Sequence, residues 1–274
     1  MTDRTRDVLK DNFAWLKRDF EATRVLYRAT LAELAANLTA GGVLPSPIEA
    51  KEAFSELCGS DVRLFAEFCS MIVSSQKELG EEAPENQNLK RVSYLRSPMT
   101  DRAFNVFSEV FGTLSAAYGA DFRSICEDVY YERSDACILP LENSIDGLLM
   151  SFRRLLLKYE LYIRAVCDVR QNDDSLITLA LLSASPGTYG DTCEVYFPSA
   201  SLGDLEKISS AVSTLGGTVT RCSTAASEYS EEADIHLCLR IPESGKRAIY
   251  YCFDALYPSH MILGNFTKIN TGKD

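Results

Sequence analysis

The feature that most constrains the fold is the alternation of short apolar runs and amphipathic segments over residues 193–270. The apolar runs predict strands at 193–197, 218–225, 234–241 and 261–269. Two segments with helical periodicity lie between them, one after the first strand and one before the last. The order is therefore strand, helix, strand, strand, helix, strand. This βαββαβ order is the ferredoxin-like arrangement.

Residues 5–79 read as entirely helical. Apolar residues at steps of three and four predict one amphipathic helix of about 35 residues, which Gly41 and Gly42 end. The apolar stripe consists of Leu9, Phe13, Leu16, Phe20, Tyr27, Leu31, Leu34 and Leu38. Two shorter helices follow, and they are too short to cover the whole stripe. We therefore expect a homodimer or a higher homo-oligomer that shares the long helices.

Residues 92–185 predict the order strand, helix, strand, helix, strand, strand, between polar linkers at 80–91 and 185–191. Strands that alternate with helices suggest a mostly parallel sheet. The expected fold class is thus multidomain, with an all-helical part, an α/β part and a ferredoxin-like part.

The polar turn Glu142–Asn143–Ser144 is the first candidate site. It follows a buried apolar run that Pro140 is expected to end, and a helix is expected directly after it. A turn of this kind can present backbone N–H groups to a small anion at a helix start. The alternative is a simple helix N-cap by Asn143 or Ser144, with Asp146 in the first turn. The residues alone leave both open.

Composition excludes several classes of partner. A net charge of −11 argues against nucleic acid and anionic membranes as main partners, since both require clustered Lys and Arg. No apolar run approaches the roughly 20 residues of a membrane span, and no signal-peptide pattern is present. Nine scattered cysteines and two histidines indicate a reducing cytoplasm, with neither a metal site nor a cofactor.

The run ILPLENSIDG, residues 138–147, resembles prephenate dehydratase. The resemblance rests on Pro140, Leu141, Glu142, Asn143, Ser144 and Gly147. The βαββαβ segment is similar to the ACT domain that follows this enzyme, and the helical segment is similar in layout to a fused chorismate mutase. The resemblance implies a chorismate-mutase-like domain at 1–80, a truncated periplasmic-binding-protein-like dehydratase domain at 91–185 and an ACT-like domain at 192–272.

Roles for individual residues come from this resemblance. It implies phenylalanine biosynthesis, with an aromatic acid or amino acid as the ligand. The implied substrate-binding residues are Glu142, Asn143, Ser144 and Gly147, and the implied regulatory residues are Gly203, Asp204 and Leu205. Thr178 would help the ring hydroxyl leave, and Lys10 and Arg28 would hold the mutase substrate. Lys10, Lys17, Arg24 and Arg28 share a helix face, which is alternatively a solvated edge.

The sequence departs from the family pattern at its catalytic points. The glycines of the family's first strand-to-helix turn are missing from YLRSPMTDRAF, and Thr178 has no Arg or Phe beside it. Only about 30 residues separate Ser144 from Thr178, where the family has a whole second lobe. We therefore expect a catalytically degenerate protein that binds a ligand or regulates. The alternatives are an active, diverged mutase or dehydratase and an oligomerisation scaffold.

Overall fold

The computed structural model describes residues 3–75, 89–171, 174–187, 190–227 and 232–269, and in the first helix it describes side chains at residue 12 and from residue 14 onward. The helices are α1 Asp3–Thr39, α2 Pro47–Cys58, α3 Val62–Ser75, α4 Pro98–Phe111, α5 Phe122–Tyr130, α6 Met150–Lys158, α7 Leu202–Thr214 and α8 Glu243–Leu256. The strands are β1 Arg91–Tyr94, β2 Ser115–Tyr118, β3 Ala136–Asn143, β4 Gly147–Leu148, β5 Tyr162–Arg170, β6 Leu176–Ser183, β7 Thr192–Ala200, β8 Thr218–Ala226, β9 Ala233–Arg240 and β10 Met261–Ile269.

The three predicted N-terminal helices are confirmed. Helix α2 begins where Ser46 and Glu49 form a capping box and Pro47 takes the first helical position. Helix α3 carries an apolar face that packs on α2 and on the C-terminal end of α1. Phe54, Phe65 and Phe68 form an aromatic cluster there, with ring centroids 5.2 to 6.4 Å apart.

The apolar stripe of α1 is covered only toward its C-terminal end. Leu31 and Ala35 are buried, whereas Leu16, Phe20 and Tyr27 are exposed. The side chains of Leu9 and Phe13 lie outside the described ones. The exposed half of the stripe agrees with the expectation of a shared helix, and the homo-oligomer stays a prediction.

The same helices cover one side of the C-terminal segment. Residues of α2 and α3 share an apolar core with Ala211, Tyr251, Cys252 and Ala255 of α7 and α8. The Tyr251 hydroxyl also donates a 2.9 Å hydrogen bond to the carbonyl oxygen of Pro45. Sequence segments far apart thus fold against each other.

One mixed sheet runs through the α/β and C-terminal segments, in the order β2-β1-β3-β6-β5-β10-β7-β9-β8, with β4 added on β3. Among the described strands, only β1–β2, β1–β3 and β5–β10 are parallel pairs. The expectation of a mostly parallel sheet is therefore wrong. Strands β5 and β6 pair antiparallel, because the five residues 171–175 that link them are too few for a parallel crossover. The predicted element order also lacks the strands β2 and β4 and the helix α5.

The predicted βαββαβ order of residues 193–270 is confirmed. Strands β7 to β10 pair antiparallel in the order β10-β7-β9-β8. Strand β10 also pairs with β5, which makes the sheet continuous. Gly264 permits this contact: its φ is +156°, and a Cβ there would overlap the carbonyl oxygen of Ile163. The division into three domains remains a prediction.

Candidate functional site

The Glu142–Asn143–Ser144 turn is a hairpin and does not start a helix. Strand β3 continues through Pro140 to Asn143, and Gly147, with φ +73°, turns the chain back to pair with β3. Helix α6 begins only at Met150 and has no side-chain cap. The expected strand end at Pro140 and the expected helix start directly after Ser144 are therefore wrong.

Two of the predicted ligand residues hold this hairpin in place. The Asn143 side-chain oxygen accepts a hydrogen bond from the Ile145 N–H at 3.0 Å. The Ser144 hydroxyl oxygen accepts one from the Leu176 N–H at 2.9 Å and so ties the turn to β6. The N-cap interpretation is wrong because these oxygens accept from Ile145 and Leu176 and not from the N–H groups of α6. The polar side chains of the turn thus stabilise the hairpin that follows Glu142.

Glu142 and Thr178, both predicted site residues, line a cavity of about 200 Å³, here called the junction cavity. It lies between the α/β part of the sheet and strands β7 to β10. Its apolar wall is Leu141, Val166 and Phe266. Its polar lining is Glu142, Arg153, Thr178, Thr192, Glu194, Thr220, Arg221, Cys238 and Lys268.

A chain of alternating charges crosses the junction cavity. Arg153 of α6 pairs with Glu194 of β7, and their side chains are 1% and 2% exposed. Arg221 of β8 lies 3.9 Å from Glu194 and pairs with Glu142. Four charges from four elements thus connect the α/β part to the C-terminal part.

Burial lowers the pKa of Arg153 but does not neutralise its side chain. Desolvation lowers the pKa of Arg153 to about 10, so its guanidinium stays charged at pH 7. Its Nε has no hydrogen-bond partner among the described residues. A buried guanidinium with an unused donor is a costly arrangement, and an ordered water, an ion or a ligand can supply the missing acceptor.

His236 lies behind Glu194 in the same buried region. Its Nδ1 is 3.9 Å from Glu194 Oε1, and neither ring nitrogen has a hydrogen-bond partner among the described residues. Burial, with Arg153 as a second cause, lowers the pKa of His236 to about 4. The ring is therefore neutral at pH 7 and adds no charge to the site.

A second polar group, around Thr178 and Lys268, also lines the junction cavity. The Thr178 hydroxyl donates a 2.8 Å hydrogen bond to Asp168 of β5, and Lys268 Nζ lies 2.6 Å from the other Asp168 oxygen. Glu142, Thr178 and Asp168 are direct partners across β3, β6 and β5. Together with the first group, the site holds three cations and three carboxylates.

The other predicted residues do not line the junction cavity. Arg28 is exposed, and its Nε donates a 2.9 Å hydrogen bond to Glu67, which raises the pKa of Arg28. The side chain of Lys10 lies outside the described ones. Asn143, Ser144 and Gly147 form the hairpin next to Glu142.

The predicted regulatory residues lie in the first turn of α7. Asp204 forms a capping box with Ser201, whose hydrogen bonds lower the pKa of Asp204. Leu205 packs on the apolar core between this helix and the sheet. A Cβ added at Gly203 would meet Ser201 Oγ at 3.6 Å, an ordinary contact distance. These contacts account for the helix start, and a regulatory role stays a prediction.

Seven polar lining residues are not indicated by the sequence analysis: Arg153, Thr192, Glu194, Thr220, Arg221, Cys238 and Lys268. Each lies in a segment where a polar or charged residue is ordinary, such as the strand TVTRCSTAA that holds Arg221. Glu194 gives no signal either, because a charge between Cys193 and Val195 matches the solvent-facing position of an alternating strand. In the described part of the chain, no group of three or more metal-ligating side chains occurs. No described helix has the length and apolar character that a membrane span requires.

No protein-family model matches the sequence, and no curated protein is significantly similar to it. Solved structures are similar in fold. Prephenate dehydratase from Streptococcus mutans aligns with a TM-score of 0.55 and 15% identity, over 65% of this chain and 98% of that chain. GqqA, described as a novel type of quorum quenching acylase, aligns with a TM-score of 0.50 and 19% identity, over 64% and 94% of the chains. The chain therefore has a prephenate-dehydratase-like fold.

Proposed function

We propose that this chain is a prephenate-dehydratase-like protein that binds a small single-ring acid in the junction cavity without converting it. The observation that carries the proposal is the cavity itself, which brings Glu142 and Thr178 together with the buried, incompletely bonded Arg153. The acidic ring compounds of aromatic amino acid biosynthesis are the ligand class that the sequence resemblance implies.

The size of the junction cavity supports a ligand with one ring. A cavity of about 150 Å³ is enough to hold benzene. The 200 Å³ found here therefore accommodates one ring and a few further heavy atoms. Leu141, Val166 and Phe266 offer the apolar surface for the ring, and the cations offer partners for a carboxylate.

The charge of the site favours an amino acid over a dicarboxylate. Arg153, Arg221 and Lys268 are balanced by Glu142, Glu194 and Asp168, which contact them. A zwitterion adds no net charge to this balanced set, whereas prephenate or chorismate would add two negative charges beside three buried or half-buried carboxylates. We therefore place a neutral aromatic α-amino acid first among the ligands.

Several features support the loss of turnover. The Thr178 hydroxyl donates a hydrogen bond to Asp168, so it is engaged within the protein. Arg28, the residue assigned to the mutase substrate, is engaged with Glu67 on an exposed surface.

The nine unpaired cysteines support a cytoplasmic setting. The exposed stripe of α1 supports a homodimer.

Thermal unfolding of the full chain with separate millimolar additions of phenylalanine, tyrosine, tryptophan, phenylpyruvate, prephenate and chorismate tests the proposal. A ligand at about 100 times its dissociation constant stabilises the folded state by about 2.7 kcal/mol. We expect the midpoint to rise with an aromatic amino acid. The Val166→Phe variant fills the cavity and should lose this rise, while Arg28→Ala should keep it.

Other outcomes point to the alternative functions. Turnover of chorismate or prephenate by the purified chain would replace the proposal with an active enzyme. Equal midpoints with and without every ligand would favour the oligomerisation scaffold. A rise that Val166→Phe retains would place the ligand outside the junction cavity.

A further inference from the structure

We propose that Cys238 is a reactive thiol that bonds covalently to a carbon electrophile bearing a carboxylate in the junction cavity. The inference uses the same cavity as the proposed function. It does not require an aromatic amino acid as the ligand, so the two can fail separately.

Cys238 differs from the other buried cysteines in what surrounds it. The others belong to apolar clusters: Cys69, Cys126, Cys137, Cys167, Cys193 and Cys252. Cys238 instead lines the junction cavity among charged groups and is 7% exposed. Its sulfur is therefore sheltered from bulk water but adjoins a space that can hold a small molecule.

Strand pairing fixes a cation and a carboxylate on either side of this thiol. Cys238 of β9 is the direct partner of Glu194 on β7 and of Arg221 on β8. Arg221 Nη2 donates to Cys238 Sγ at 3.2 Å, and the thiol donates to Glu194 Oε2 at 3.6 Å. The three residues form one row across three hydrogen-bonded strands, so their relative positions are set by the backbone.

This row places a cation and a proton acceptor beside a nucleophilic sulfur. The thiolate is the nucleophilic form of cysteine, and an adjacent guanidinium stabilises it. Glu194 is placed to accept the proton, as a base next to a nucleophile does. In the bonding step, the sulfur electron pair forms a bond to the electrophilic carbon, the leaving group departs with its own bonding pair, and the thiol proton moves to Glu194.

The lining favours an electrophile with a carboxylate. The Nε of Arg153 lacks a partner among the described residues although the side chain is 1% exposed. Lys268 also lines the junction cavity and adds a second cation. Transfer of the thiol proton to Glu194 neutralises that carboxylate and leaves one cation of the balanced set uncompensated, so a carboxylate on the electrophile restores the balance.

Alkylation of the folded chain with iodoacetate and with iodoacetamide tests this inference. The two reagents transfer similar groups, and only iodoacetate carries the carboxylate. Peptide mass spectrometry gives the rate at each cysteine, with iodide as the leaving group. The exposed Cys222, on β8, is the internal control. We expect the iodoacetate-to-iodoacetamide rate ratio to be at least about tenfold higher at Cys238, which corresponds to 1.4 kcal/mol.

Two variants separate the charge effect from folding. Arg221→Gln and Lys268→Met should each lower the ratio at Cys238, and Lys268→Met should leave the ratio at Cys222 unchanged. Equal ratios at Cys238 and Cys222 in the wild type would overturn the inference. Absence of labelling at Cys238 while Cys222 is fully labelled would also overturn it. A high ratio at Cys238 that millimolar phenylalanine does not reduce would leave this inference standing and overturn the proposed ligand.

Discussion

The two regions that the resemblance assigns to catalysis differ in how they hold their charges. In the helical region, Arg28 and Glu67 pair on an exposed surface, with side chains 50% and 22% exposed. At the junction cavity, Arg153 and Glu194 pair with almost no exposure, and a third and fourth charge extend the chain.

The helical region therefore carries a solvent-exposed ion pair, whereas the junction cavity carries a buried group of charges. Exposed ion pairs are screened by water and contribute little to stability. Buried charges carry a large desolvation cost, which folding must offset elsewhere. The junction cavity therefore retains charges that a purely structural interface could replace with apolar side chains, and this favours a ligand in the cavity.

The largest effect is expected from Arg153→Met. Loss of the guanidinium leaves Glu194 buried without its closest partner, and breaking a buried pair in this way costs about 3–5 kcal/mol. Urea denaturation of the variant and of the wild type measures the difference in the free energy of unfolding. The double variant Arg153→Met/Glu194→Leu removes both charges and should recover most of the loss. A single variant as stable as the wild type would remove the distinction between the two regions.

A pH dependence of stability should follow from His236. Its pKa is about 4 in the folded chain and about 6.5 in the unfolded chain, so the unfolded chain binds the extra proton between these values. Stability is therefore full above pH 6.5 and falls toward pH 4, by on the order of 3 kcal/mol. The His236→Phe variant keeps an aromatic ring and cannot titrate, so its stability should fall less over this window. Parallel pH curves for the two proteins would contradict the burial of a neutral ring.

An intermediate effect is expected from Phe20→Glu in α1. Phe20 is 69% exposed on the uncovered half of the apolar stripe. If a second copy covers this stripe, a buried carboxylate should weaken the dimer at least tenfold, or by 1.4 kcal/mol. Sedimentation equilibrium gives the dissociation constant, and Glu21→Ala on the same helix is the control. A monomeric wild-type chain would contradict the shared-helix expectation and leave the stripe exposed.

The smallest effect is expected from Arg28→Ala. The side chain is exposed, and its pair with Glu67 is screened by solvent. The unfolding midpoint and the ligand response of this variant should equal those of the wild type within error. A loss of ligand response in Arg28→Ala would reverse the comparison and move the binding site to the helical region.

The sequence predicts the helices and the C-terminal segment well because their patterns are local. The stripe of α1 and the βαββαβ order depend on periodicity within each element. The prediction of a mostly parallel sheet is wrong because strand direction depends on which strands pair across the chain. The short link at 171–175 indicates an antiparallel pair, since a parallel crossover needs about a dozen residues or more.

The site was predictable only in part, for a similar reason. The sequence indicates Glu142 and Thr178 separately, and strand pairing places them side by side. Arg153, Glu194 and Arg221 come from different elements, and each resembles a surface charge when read in its own segment. The sheet that brings these elements together is continuous through the β5–β10 pair, a tertiary contact that local periodicity does not encode.

Isothermal titration calorimetry with phenylalanine and with phenylpyruvate tests the central claim most directly. The two compounds share the ring and the carboxylate, and only phenylalanine carries an ammonium group. The balanced charges of the junction cavity predict that phenylalanine binds at least about tenfold more tightly, a difference of 1.4 kcal/mol, and that Val166→Phe abolishes its binding. Equal or tighter binding of phenylpyruvate, or unchanged binding of phenylalanine to Val166→Phe, would contradict the claim that the junction cavity holds a neutral amino acid.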